Sequence, residues 1–158
     1  HPDYTGNMVD SDELKPIFAA CCEFGLPIAI HAGWDPVSPT LIHATPDKIA
    51  KVIREYPGLR LVAAHMGGTL QWEDVLRHLA GKDVWFDISI VYEYGLAPTL
   101  ICAIIDAHPK DKIVFGSDGP WSCPAKAADY IRSLGLGRDM EERIFYKNAE
   151  ALLGLTTV

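Results

Sequence analysis

The chain has 158 residues, 49% hydrophobic and 22% charged, which is the make-up of one folded domain with an apolar core and not of a disordered or fibrous chain. Lys and Arg total 14 against 21 Asp and Glu, a net charge of −7 with the cations scattered, so there is no basic footprint for a nucleic-acid backbone. No apolar run approaches the ~20 residues of a membrane helix, and the opening His1-Pro2-Asp3-Tyr4 lacks the order of a signal peptide. With no Cys-x-x-Cys pair among Cys21, Cys22, Cys102 and Cys123, a soluble protein of a reducing, cytoplasmic setting is expected.

Asp12 to Phe24 reads as a helix, with Pro16 near its first turn and Gly25 as its stop. The run Leu26 to Ile30 is short and continuously apolar, as in a strand covered on both faces, and it ends at His31. After a Gly/Pro/Ser loop, Thr45 and Pro46 suit the cap and first position of a helix whose Ile49, Val52, Ile53 and Tyr56 form one stripe. Pro57 and Gly58 break it. Leu59 to Ala64 predicts a second buried strand ending at His65, and Met66 to Thr69 turns into a helix carrying Trp72, Val75, Leu76 and Leu79. Val84 to Ile88 predicts a third strand, Pro98 to Ala107 the next helix, and Ile113 to Phe115 a fourth strand followed by Gly116, Ser117 and Asp118. Helices over about Pro124–Leu134 and Asp139–Tyr146 follow, then a short one capped by Asn148 and closed by Gly154. Strand-then-helix units in series imply right-handed crossovers and a parallel α/β architecture. Since an eight-fold barrel needs ~250 residues, these units make either a small open sheet or half of a barrel.

His31, His65 and Asp118 each stand where an apolar strand ends, and in parallel α/β folds those ends face the site. Their spacings of 34 and 53 residues match one and two strand-helix units. Two imidazoles and a carboxylate suit Zn, Mn or Fe(II), and a metal held there would activate water for hydrolysis. Trp34 and Trp121 each follow a candidate ligand by three residues and could wall a flat substrate. His43, His78 and His108 are expected at the surface, Asp87 as a supporting group at most, and Cys21 and Cys22 as small packing residues.

The stretches Pro27-Ile28-Ala29-Ile30-His31-Ala32-Gly33, Leu61-Val62-Ala63-Ala64-His65-Met66-Gly67-Gly68 and Val114-Phe115-Gly116-Ser117-Asp118-Gly119-Pro120-Trp121 resemble the C-terminal half of the amidohydrolase superfamily. They are most similar to its group of metal-dependent hydrolases and aromatic-acid decarboxylases, and the ending Asn148-Ala149-Glu150-Ala151-Leu152-Leu153-Gly154 is similar to that group's closing helix. The resemblance implies a (β/α)8 TIM barrel of which residues 1–158 supply roughly strands 5 to 8 as one domain. It implies that His31 and Asp118 bind the metal, zinc in the first place and manganese as the alternative. His65 is implied to hydrogen-bond the metal's water, move protons and serve as a further ligand, with Asp118 as the catalytic base. His1-Pro2 resembles the end of the fourth strand, and the family's first-strand His-x-His pair has no counterpart in the 158 residues.

The expected activity is hydrolysis, a metal-activated water attacking the carbonyl of an amide, ester or lactone. The alternative is non-oxidative decarboxylation of an aromatic or enoic acid at the same residues. A rival of another class is a non-catalytic half-barrel that pairs with a second copy or with the missing barrel half, because an open half exposes strand edges and an apolar face. Without first-strand ligands, the 158 residues alone are expected to hold metal substoichiometrically and to turn over negligibly. The expected partner is a small molecule.

Overall fold

A computed structural model describes residues 1–155, so the last three residues of the expected 1–158 domain lie outside the described residues. Strands β1 (Ile28–Ile30), β2 (Leu61–Ala63), β3 (Trp85–Asp87) and β4 (Ile113–Val114) form one sheet in the order β1-β2-β3-β4, each neighbouring pair parallel. Every strand adds on the same side as the last. A doubly wound sheet would reverse at a switch point, whereas this order is the wall of a barrel. Helices α1 (Pro2–Thr5) and α2 (Lys15–Glu23) precede β1, and α3 (Pro46–Glu55), α4 (Trp72–His78) and α5 (Pro98–Ala107) make the crossovers. After β4 come α6 (Pro124–Ser133), α7 (Arg138–Glu142) and α8 (Asn148–Leu153), the last two joined by a π-helical turn over Arg143–Lys147.

Alternation along the strands splits the apolar side chains between two layers. Leu61, Ala63, Phe86 and Ile113 are wholly buried toward the crossover helices, where they meet Ile49, Val75, Ile101, Ile104 and Ile131. Val62, Trp85 and Val114 form a separate cluster, covered by Leu152 of α8 with Ala149 beside it. The Arg60 guanidinium fastens that cover by donating to the Leu152 carbonyl at 2.7 Å.

Several elements differ from the sequence expectation for identifiable reasons. β1 starts at Ile28 because the Leu26 N–H is spent on the Cys21 carbonyl (2.8 Å) and Pro27 has none, leaving the Ile28 N–H as the first to reach Arg60 across the sheet (3.0 Å). β4 stops after Val114 because the Phe115 N–H turns to the Ile144 carbonyl at 2.7 Å. Asn148 is not a helix cap: it lies within continuous helical backbone, and its side-chain amide donates to the carbonyls of Lys110 and Ile113, both at 2.8 Å. His43 and His108 are buried, not surface residues, because partners from distant elements satisfy their rings, while Cys22 is exposed and does not pack. Among the described residues no helix is long and apolar enough to cross a membrane.

Candidate active site at the carboxyl ends of the strands

Backbone strain gathers at one end of the sheet. His65 (φ 60°) follows β2, Ile90 (φ 59°) follows β3 and Asp118 (φ 59°) follows β4, all in the left-handed region that costs a side-chain-bearing residue energy. The loop after β1 is drawn onto the turn after β2 through Gly33 (φ 89°), whose N–H donates to Ala44 at 2.9 Å. The Thr69 N–H donates to Ala32 at 2.8 Å and the Trp34 N–H to Thr69 at 2.9 Å. A Cβ at Gly33 would stand 2.1 Å from the Thr69 nitrogen, so only glycine permits this approach. Docking the loop carries Asp35 over β1.

Beneath it lies a cavity of about 640 Å³ whose lining includes His31, His65, Asp118, Trp34 and Trp121, together with His1, Asp35 and Asp87. Trp34 is fixed by its indole N–H to the Pro39 carbonyl (3.2 Å) and packs edge-on against Tyr94, whereas Trp121 is 74% exposed at the rim.

A directed hydrogen-bond chain runs into this cavity. Asp87 Oδ1 accepts the backbone N–H groups of His65 (3.0 Å) and Ser89 (2.9 Å) and also the Ser89 hydroxyl. A carboxylate only accepts, so the Ser89 proton points to Asp87 and its oxygen is left to accept from His65 Nδ1 (2.8 Å). In neutral His65 that leaves Nε2 as an acceptor for His31 Nδ1 (2.9 Å), so neutral His31 carries its proton on Nδ1 and presents a bare lone pair at Nε2. Burial, with His65 adding to it, holds the His31 pKa below the ordinary histidine value, although Asp35 and Asp3 pull the other way.

His31 Nε2 is buried without a hydrogen-bond partner, and so is Asp3 Oδ2, 4.0 Å away. Asp35 Oδ2 lies 3.8 Å from the same nitrogen and 3.5 Å from His1 Nε2. The His1 ring stacks on His31, centroids 4.3 Å apart and planes 12° from parallel. Ligand atoms of His1, His31 and Asp35 all lie within 4.8 Å of one another. An orphaned lone pair facing carboxylates suits a cation. His65 has both nitrogens engaged inside the protein and offers none to an ion. Asp118 faces the same cavity without joining His31 in this cluster, so the expected grouping of His31, His65 and Asp118 shares one cavity but not one set of donor atoms.

Sequence reasoning missed Asp3, Asp35 and Ser89 as members of the site, and read His1 only as the end of a fourth strand. Asp35 stands four residues after His31 and Ser89 two after Asp87, which was the available signal; Asp3 left none, since only its burial against His43 (Nδ1 to Oδ1, 2.9 Å) marks it.

The amidohydrolase family model matches residues 1–155, and the chain belongs to that family. No curated protein matches it. Among solved structures, a protein from Pseudomonas putida assigned as a 2-pyrone-4,6-dicarboxylic acid hydrolase is 18% identical, with a TM-score of 0.70 over 94% of this chain and 59% of its own. An uncharacterised TIM-barrel protein from Bordetella bronchiseptica is 24% identical, with a TM-score of 0.74 over 93% of this chain and 52% of its own. A dihydroxybenzoic acid decarboxylase from Polaromonas sp. JS666, with bound manganese and 2-nitroresorcinol, is 16% identical, with a TM-score of 0.66 over 96% and 56%. The chain thus spans between a half and three-fifths of these structures, and the likeness establishes a shared barrel fold.

Proposed function

We propose that these residues are the C-terminal half, strands 5 to 8, of a metal-dependent hydrolase that acts on the carbonyl of an amide, ester or lactone. The observation that carries the reading is the chain Asp87–Ser89–His65–His31, which ends on a buried, unpartnered nitrogen among carboxylates. A divalent ion bound there, zinc or manganese, would supply a water nucleophile near neutral pH and polarise a carbonyl. His31 would hold the ion through its unpartnered Nε2. His65, itself in the cavity lining, keeps the His31 ring turned and its Nδ1 occupied. Asp118, in the lining of the same cavity, accepts the proton from the attacking water and returns it to the leaving group. Trp34 forms a fixed wall against a flat substrate, and Trp121 closes the rim. The open sides of the sheet are covered by the rest of the barrel or by a second copy.

The aromatic lining of Trp34, Tyr94, Tyr4 and Trp121 favours a second reading, decarboxylation of an aromatic acid, in which the same cavity places a proton on the ring carbon as carbon dioxide leaves. The test is the complete protein, metal-loaded, on a panel of lactones and a panel of hydroxybenzoates in ¹⁸O-water. One solvent oxygen per product is expected from hydrolysis. Release of carbon dioxide with no oxygen taken up would decide for decarboxylation.

A further inference from the structure

We propose that Glu93 selects the substrate of this cavity, its carboxylate receiving a protonated amine carried by a flat carbonyl compound. The inference deepens the hydrolase reading and rests on it. Glu93 and Tyr94 line the cavity from the tip of the loop between β3 and α5. That loop is closed at its base, where Val91 and Leu96 are buried and the Leu96 N–H donates to the Val91 carbonyl at 2.9 Å. The Tyr130 hydroxyl of α6 ties it down by donating to the Leu96 carbonyl at 2.7 Å. Its tip reaches both ways across the cavity mouth. Tyr94 packs edge-on against Trp34 of the loop after β1, centroids 6.0 Å apart, and Glu93 Oε1 accepts the hydroxyl of Ser122, a buried residue of the loop after β4. A carboxylate only accepts, so the serine is the donor; Oε1 is fixed, and Oε2 has no protein partner among the described residues.

Charge and shape name the class of ligand. The lining holds the carboxylates of Asp35, Asp87, Glu93 and Asp118 and, among the described residues, no Lys or Arg. Asp87 is engaged by two backbone N–H groups and the Ser89 hydroxyl, Asp35 lies against His31 and His1, and Asp118 is the base of the proposed reaction. Glu93 is the one of the four that takes no part in the chemistry, and its partner is a neutral hydroxyl. The negative charge it holds at the mouth is matched by a cation that arrives with the substrate. Tyr94, the next residue, and Trp34 present rings whose faces attract a cation and cover a flat body. The same carboxylate repels a compound that brings a second carboxylate to this end. A fixed carboxylate among aromatic rings therefore suits an aminoalkyl lactone, ester or amide and disfavours a dicarboxylic one.

Calorimetry on the complete, metal-loaded protein tests this with benzylammonium and with benzyl alcohol, its uncharged counterpart. Benzylammonium should bind about tenfold more tightly at low salt, and added salt should narrow that preference. E93Q should reduce it to about twofold, the share of the rings alone. Glu93 is exposed, so the variant keeps the fold, which its thermal midpoint checks. Turnover of aminomethyl- and methyl-substituted dihydrocoumarin, a flat lactone, gives a second measurement: the ratio of their kcat/KM values should fall about fivefold in E93Q. Equal binding of the two probes, or a preference that survives E93Q unchanged, would overturn the assignment whether or not the lactones are hydrolysed. A preference lost in E93Q, in a protein that hydrolyses no lactone, ester or amide, would instead overturn the hydrolase reading and leave Glu93 as the amine receptor.

Discussion

His31 and His108 are both buried imidazoles at opposite ends of the same sheet, and they are used in opposite ways. At the amino end of β3, His108 Nε2 donates to the Val84 carbonyl at 2.9 Å, its Nδ1 accepts the Gly81 N–H at 3.3 Å, and the ring stacks on Phe86 with centroids 4.2 Å apart. Backbone uses up both nitrogens, and the residue is a strut. At the carboxyl ends, His31 has one nitrogen fixed by a side-chain chain and the other left bare in a cavity. A buried histidine therefore signals chemistry by the nitrogen it leaves over, not by its burial.

The largest expected effect falls at the cavity end. In the complete enzyme, Asp118→Asn should cut kcat by about 10²–10⁴-fold, the usual share of a general base, with the thermal midpoint nearly unchanged. A matching loss of stability would show that Asp118 is a strut after all. Gly33→Ala should be the most damaging single methyl in the molecule, costing roughly 3 kcal/mol or more, because the added carbon meets backbone that cannot move aside. Denaturant unfolding reads it. A cost below about 1 kcal/mol would mean that the loop carrying Asp35 is not docked as described.

His108 should mark the amino end by its pH dependence. Burial lowers its pKa to about 4 from the ordinary 6.5, so the unfolded chain takes up a proton before the folded one does. Its contribution is complete above pH 6.5 and is lost as the pH falls toward 4, by roughly 3 kcal/mol in all. Unfolding followed from pH 7 to 4 should show this slope in the native chain and a shallower one in His108→Gln; equal slopes would remove His108 from the account. The smallest effect belongs to Ser89→Ala, which should cost about 1 kcal/mol of stability yet free His65 Nδ1, visible as a changed tautomer at His31 in ¹⁵N spectra. An unchanged His31 tautomer would show that Ser89 does not direct the chain.

The same contrast explains what the sequence made legible. His31, His65 and Asp118 were readable because a short apolar run that stops at a polar residue marks a strand end, and the parallel order puts those ends together. The repeating strand-helix units implied parallel strands but fitted a small open sheet as well as half of a barrel, and it was the family resemblance that pointed to the barrel order. Asp35 and Asp3 were not readable, since they reach the cavity through a docked loop and a four-residue helix, neither of which has a periodic pattern. His43 and His108 look like surface histidines in the sequence because their partners, Asp3 and Val84, lie 40 and 24 residues away.

The clasp between Arg60 and Leu152 joins residues 92 apart, and it closes over Val62, Trp85 and Val114. During synthesis, β2, β3 and β4 are all made before the residue that covers them. The inner cluster therefore stays wet until the final turns of α8 emerge, and a ribosome paused upstream holds a chain whose helix-facing layer can form while its inner face remains adhesive. A protein arranged in this way is most exposed to aggregation and to chaperones in the interval between the making of β4 and the docking of α8, and a variant that lacks α8 should prolong that state.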